Sequence, residues 1–230
     1  MKGKLFMAVV TAMAALLAGG CGTSHQARTV EVGSAILVNP EILKRGAGDQ
    51  ALYRYVNPRF DVRKYAAVVI EPVLIAKEGD VGAAEKENYQ KLANNAYVYL
   101  GEALQKEIRV VKEPEKDTLV LQMAIHDADA SKPVRSFTST VVPLGIAINV
   151  ATYAATGKPS AVGEITAEFK VTDGATGELL MAALDRRVGG ASLRGVWDTW
   201  HSADEALKFW AKRAAFLICQ QKGGKGCVEP

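Results

Sequence analysis

Residues 65–76, Tyr-Ala-Ala-Val-Val-Ile-Glu-Pro-Val-Leu-Ile-Ala, constrain the fold of this chain more than any other stretch. Apolar side chains there do not alternate with polar ones, so a strand built from them buries both faces. A sheet holding such a strand needs a layer on each side. Pro72 cannot donate to a ladder and marks a bulge or an end. Material for one layer follows directly: over residues 83–107, Tyr89, Leu92, Ala96, Leu100, Ala103 and Leu104 recur at helical spacing. Lys86, Glu87, Lys91, Glu102 and Lys106 fall mostly outside that stripe, which predicts an amphipathic helix facing a core.

Two strands are expected at residues 108–112 and 118–126, separated by the turn-forming Glu-Pro-Glu-Lys-Asp of 113–117. Residues 161–172 and 178–188 flank Asp173-Gly174-Ala175-Thr176-Gly177, a hairpin signal. In the first arm Ile165, Ala167, Phe169 and Val171 alternate with Thr166, Glu168, Lys170 and Thr172, predicting one buried face and one wet face. Ser202-Ala203-Asp204-Glu205 has the form of a capping box opening a last helix through Leu207, Trp210, Ala214 and Ile218. Residues 33–58, broken by Pro40, Gly46, Gly48 and Pro58, read as an irregular wrapping segment. The sum is an α+β fold: a mixed, mostly antiparallel sheet packed by two main helices. One domain is expected over residues 33–220, with a tail at 221–230.

The N-terminus reads as an export signal. Lys2 and Lys4 precede an apolar run over residues 5–18, then Gly19, Gly20 and Cys21. That run is too short to span a bilayer comfortably and has the order of a secretory leader. A cysteine directly after the cleavage point is what bacterial lipoprotein processing requires, so residues 1–20 are expected to be removed and Cys21 acylated. The box is imperfect, because Leu17 stands one place further upstream than usual and Ala18 takes its position. Several acyl chains anchor firmly, each buried methylene adding about 0.8 kcal/mol. Gly22 in place of an aspartate favours the outer membrane, facing the periplasm. Polar, aperiodic residues then extend to 32, so 21–32 reads as lipidated cysteine and tether, with His25 solvated.

Without Lys2 and Lys4, 26 basic side chains face 25 acidic ones. A nearly neutral chain argues against a nucleic-acid partner. Cys219 and Cys227 leave two readings open: a disulfide pinning the tail to the last helix in an oxidising compartment, or a buried Cys219 beside an idle Cys227. Two cysteines without a local histidine are too few for a metal, and no cofactor is expected.

Residues 136–157 carry no charge. Their length raises a transmembrane helix, but Pro143, Gly145, Asn149 and six Ser or Thr residues dilute it. A buried or surface-lying helix is the preferred reading; membrane contact or partner docking is the other. No nucleophile elbow, phosphate loop or histidine pair on a helix is present. His126, Asp127, Asp129 and His201 are the polar candidates for chemistry, and a strand end and turn is the plainer reading of the first three. Arg186, Arg187 and Arg194 could meet an anionic head group, though arginines at strand ends are usually solvated. Trp197-Asp198-Thr199-Trp200-His201 either staples the last helix to the sheet or lines a binding site.

Tyr53-Arg54-Tyr55-Val56-Asn57-Pro58, Phe60-Asp61, Asp117-Thr118-Leu119 and Thr172-Asp173-Gly174-Ala175-Thr176-Gly177-Glu178 occur in this order, with Gly157-Lys158, Val162-Gly163, Glu168 and Trp210-Ala211 between and after them. In these the chain resembles a group of bacterial lipoproteins labelled domain of unknown function 3313, over about residues 33–217. The resemblance implies a lipid-anchored envelope protein and carries over no catalytic residue. Three functions are compatible. The first is a non-enzymatic accessory protein bound to the membrane by its lipid and to an envelope protein partner through Val141, Ile148, Trp197 and Trp200. The second is a carrier of lipid or another small apolar ligand. The third is an enzyme built on the polar candidates above, which requires them to converge.

Overall fold

The computed structural model describes residues 24–27, 29–76, 83–126, 141–142, 145–146, 164–188 and 199–230. In chain order the strands are β1 (His25–Gln26), β2 (Lys44–Arg45), β3 (Tyr53–Val56), β4 (Ala67–Ile70) and β5 (Leu74–Ala76). There follow β6 (Arg109–Val111), β7 (Thr118–His126), β8 (Val141–Val142), β9 (Gly145–Ile146), β10 (Glu164–Asp173) and β11 (Leu179–Val188). Helix α1 (Ala83–Leu104) lies between β5 and β6, and α2 (Thr199–Gln221) follows β11.

The apolar stretch does what its composition demands. All four residues of β4 are buried, and the Glu71-Pro72-Val73 interruption separates it from β5. Both strands run parallel to β7. The main sheet has the order β2-β3-β11-β10-β7-β4-β6, with β1 also on β11 and β5 also on β7. Only the pairs made by β4 and β5 are parallel; the rest are antiparallel. A parallel β4–β6 neighbour requires a crossover, and α1 supplies it.

One face of the sheet carries α1 and α2. Leu92, Ala93, Ala96, Leu100 and Leu104 from α1 meet Ala203, Ala206, Leu207, Trp210 and Ala211 from α2 over Met123, Ile125, Ala167 and Phe169. Small residues on both helices let them approach closely, and each fully buried Leu or Ile contributes about 1.5–3 kcal/mol. Helix α2 opens at Thr199, three residues before the expected capping box, so Ser202 lies inside it. The extra turn seats Trp200 edge-on against Tyr89, ring centroids 5.2 Å apart. Asp204 is drawn sideways to α1, accepting from Asn95 at 2.8 Å and from the Tyr99 hydroxyl at 3.0 Å.

The second face differs from its expected wetness. Thr166 and Glu168 are 3% and 0% exposed. The wrapping segment covers them, with Val30, Leu43 and Leu52 packed on Ala182 and Leu184 and with Val32, Ala35, Val38 and Ile42 at the margin. The expected tether of 21–32 is therefore too long: Ser24 is buried, β1 pairs with β11, and Val30 belongs to this second core. His25 itself is exposed. Residues 53–56, read as irregular, form β3 on the edge of β11. The helix expected within 136–157 is not what the described part shows: Val141 pairs with Ile146 and Val142 with Gly145, antiparallel, as β8 and β9, and the rest of that stretch lies outside the described residues.

Candidate functional site

The hairpin turn shows why two of the sequence elements singled out above, Asn57-Pro58 and residues 173–178, belong together. Asp173 Oδ1 accepts the amides of Ala175 and Thr176 at 2.9 and 2.8 Å, and Gly177 takes a φ of 72°, in the left-handed region that glycine tolerates. The Asn57 side chain donates to Glu178 Oε1 at 2.9 Å and to the Leu179 carbonyl at 3.1 Å, while Arg59 pairs with Glu178. The Asn-Pro element closing β3 is thus fastened to the turn between β10 and β11. Tyr65 donates to Asp173 Oδ2 at 2.8 Å. Burial, then that carboxylate, pushes the phenol up to about 12. The amide of Thr176, then the Tyr65 hydroxyl, hold Asp173 below the usual carboxylate range.

The opposite end of the sheet holds a denser set of buried polar groups. Glu168 Oε2 accepts the Ile36 amide at 2.8 Å, and Oε1 accepts those of Leu37 and Val38 at 2.9 and 3.2 Å. One carboxylate thereby satisfies three successive amides of a segment without regular structure. His126 Nε2 lies 3.3 Å from Glu168 Oε2. On the helix face Asp185 accepts from Trp210 Nε1 at 2.8 Å, from Gln26 Nε2 at 2.7 Å and from the Leu52 amide at 3.2 Å. It fills the gap where the partner of β11 changes from β3 to β1. Arg187 donates to the Ser24 hydroxyl at 3.0 Å and to the Ser24 carbonyl, with its guanidinium carbon 3.4 Å from the centre of the Phe209 ring. Burial brings that guanidinium down to about 10, the Asp185 carboxylate opposing the shift, so it stays cationic at neutral pH.

These groups act as staples. Each ties chain distant in sequence onto β10 or β11, and the described carboxylates among them are saturated by protein donors. Of the polar candidates for chemistry, His126 is buried under the wrapping segment, while α2, which carries His201, lies on the other face. Asp127 and Asp129 lie outside the described residues, as do Cys21, Ile148, Arg194 and Trp197. Trp200 is half-buried against Tyr89, Val141 is in β8, and Arg187 is bonded to Ser24 rather than solvated. Cys219 and Cys227 are joined in a disulfide, Cα atoms 5.7 Å apart. Among the described residues no three of His, Cys, Asp and Glu converge as metal ligands, and no helix is long and apolar enough to cross a membrane.

Sequence reasoning missed Glu168, Asp185, Arg187 and Ser24 as a set. Their partners stand 130–132, 25 and 133–159, and 163 residues away, so no local pattern announces them.

A family model described as "Protein of unknown function (DUF3313)" matches residues 34–214. No curated protein matches the chain. Among solved structures, the PelC dodecamer from Paraburkholderia phytofirmans is 12% identical over 75% of this chain and 96% of that one, with a TM-score of 0.34. A single-substitution variant of that dodecamer is also 12% identical, over 67% and 92%, with a TM-score of 0.33. A likeness at that level carries no argument about this chain.

Proposed function

Because the chain belongs to the DUF3313 family, which its own description leaves without an assigned function, we propose from its residues that it is a lipid-anchored envelope protein acting through protein–protein contacts. On this reading the leader is removed, Cys21 is acylated, and the folded domain works in the periplasm as an accessory subunit. The observation that carries it is the short distance from anchor to fold: Ser24, three residues after Cys21, is already buried and clamped by Arg187. A chain so built is held at a surface rather than released from it. The Cys219–Cys227 disulfide supports an oxidising compartment. Exposed Val56, Tyr97 and Val98 are apolar positions where a partner gains area without disturbing a core.

The anchor is tested by Cys21→Ser in cells fed a clickable palmitate analogue. The wild-type protein takes the label and sediments with membranes; the variant takes none and becomes soluble. A variant that labels and sediments like the wild type overturns lipidation at Cys21. The partner is tested with photoreactive residues at Val56, Tyr97 and Val98. One recurrent protein adduct is expected, and adducts to lipid alone would refute the accessory role.

A further inference from the structure

The ends of the elements fix where the chain enters the sheet. Ala76 at the end of β5 pairs with His126 at the end of β7, and Thr166 near the start of β10 also pairs with His126. Glu164 and His25 both pair with Val188, the last residue of β11. Trp200 at the start of α2 packs on Tyr89, in the second turn of α1, so both helices begin at this end. Chain entering β1 therefore arrives at the end of the sheet formed by His126, Glu164 and Val188. The connection 127–163, uncharged from 136 to 157, also leaves and rejoins the fold here.

The other end carries Lys112, Glu113, Glu115, Lys116 and Asp117 before β7, Arg59 and Glu178 beside the hairpin turn, and Lys222 donating to the Tyr65 carbonyl at 3.0 Å. Residues 112–117 are all exposed. A strand of ten residues such as β10 separates the two ends by about 30 Å.

We propose that the end of the sheet bearing His25, His126 and Val188 faces the lipid surface that holds the anchor, with the charged end directed into the periplasm. The inference rests on acylation of Cys21. Three residues from Cys21 to Ser24 span at most about 10 Å when extended. That is a third of the sheet's length, so the domain cannot turn over to bring its charged end to the bilayer. The Arg187–Ser24 clamp removes the slack that peeling β1 away would provide.

The test uses mature acylated protein reconstituted in phosphatidylethanolamine–phosphatidylglycerol vesicles. A single azide-bearing residue carrying a fluorophore replaces His25 or Lys86 at the near end, or Lys116 or Thr176 at the far end. All four side chains are exposed, and two positions per end guard against one failing to fold. Lipids with nitroxide head groups then report proximity. Near-end labels should be quenched by about half or more and far-end labels hardly at all, because about 30 Å of strand separates them. Equal quenching at both ends, or stronger quenching at Lys116 and Thr176, overturns the orientation. Vesicle flotation and the mass of the N-terminal peptide are read on the same samples. Protein that floats, carries the lipid mass and shows the reverse pattern refutes the orientation alone; protein with no lipid mass refutes the anchor and the orientation with it.

Discussion

Removing the Glu168 carboxylate is expected to cost more than any other single change on the covered face of the sheet. The side chain is fully buried and holds the amides of Ile36, Leu37 and Val38 at 2.8–3.2 Å, with His126 at 3.3 Å. Glu168→Ala leaves three donors facing a void. A buried donor without a partner costs about 1–3 kcal/mol, so three would cost up to about 9 if the segment stayed in place. The segment need not stay: it has no ladder of its own and can lift from the sheet, rehydrating its amides and exposing Val30 and Leu43. The loss is therefore capped near the cost of breaking a buried charged contact, about 3–5 kcal/mol. Glu168→Gln keeps one acceptor oxygen for Leu37 and Val38 and turns an NH2 toward Ile36 and His126, so it should cost about 2 kcal/mol. Urea unfolding measures both, with the midpoint falling and the slope unchanged if the effect is on stability alone. Trypsin should also cut the wrapping segment of Glu168→Ala before the domain unfolds. A loss below about 1 kcal/mol for alanine would show that water replaces the carboxylate and would sink the argument. Equal losses for the two variants would show that the total charge matters and the individual bonds do not.

Asp185→Ala strips acceptors from Trp210, Gln26 and Leu52 and leaves Arg187 without its neighbouring carboxylate; about 3 kcal/mol should be lost in the same assay, and an unchanged urea midpoint would contradict it. The Tyr65–Asp173 contact makes stability depend on pH at both extremes. The phenol is raised from 10.0 to about 12, so its contribution is complete below pH 10.0 and disappears as pH rises through about 12. Asp173 is lowered from 3.8, so its contribution is complete above that value and is lost as pH falls through the folded one. Tyr65→Phe should flatten the alkaline fall, and a urea midpoint that still drops equally between those limits would assign it elsewhere. Reducing Cys219–Cys227, eight residues apart, should cost about 2.5 kcal/mol by the loop-entropy relation, seen as a lower melting temperature in dithiothreitol; no shift would mean the tail stays docked without the bond.

Much of the fold was legible because its signals are local. The double apolar character of 65–76 foretold a covered strand, β7 emerged at residues 118–126 as expected, and the Asp-Gly-Ala-Thr-Gly turn marked the hairpin. Boundaries slipped where tertiary contacts outweighed capping, as when Trp200 packing on Tyr89 drew α2 back to Thr199. The short β3 was passed over because it is only four residues long and abuts Asn57-Pro58, which reads as an ending.

By itself, then, the sequence determined the α+β class, the order of the main elements and the family motifs, since each is written in neighbouring residues. Only the tertiary structure decided that Thr166 and Glu168 are dry, that Ser24 is part of the domain, and that Asn57 and Glu178 meet. Alternation along a strand reports two faces but not what covers the second one. A carboxylate whose partners lie more than a hundred residues away looks like any solvated glutamate until the chain closes over it.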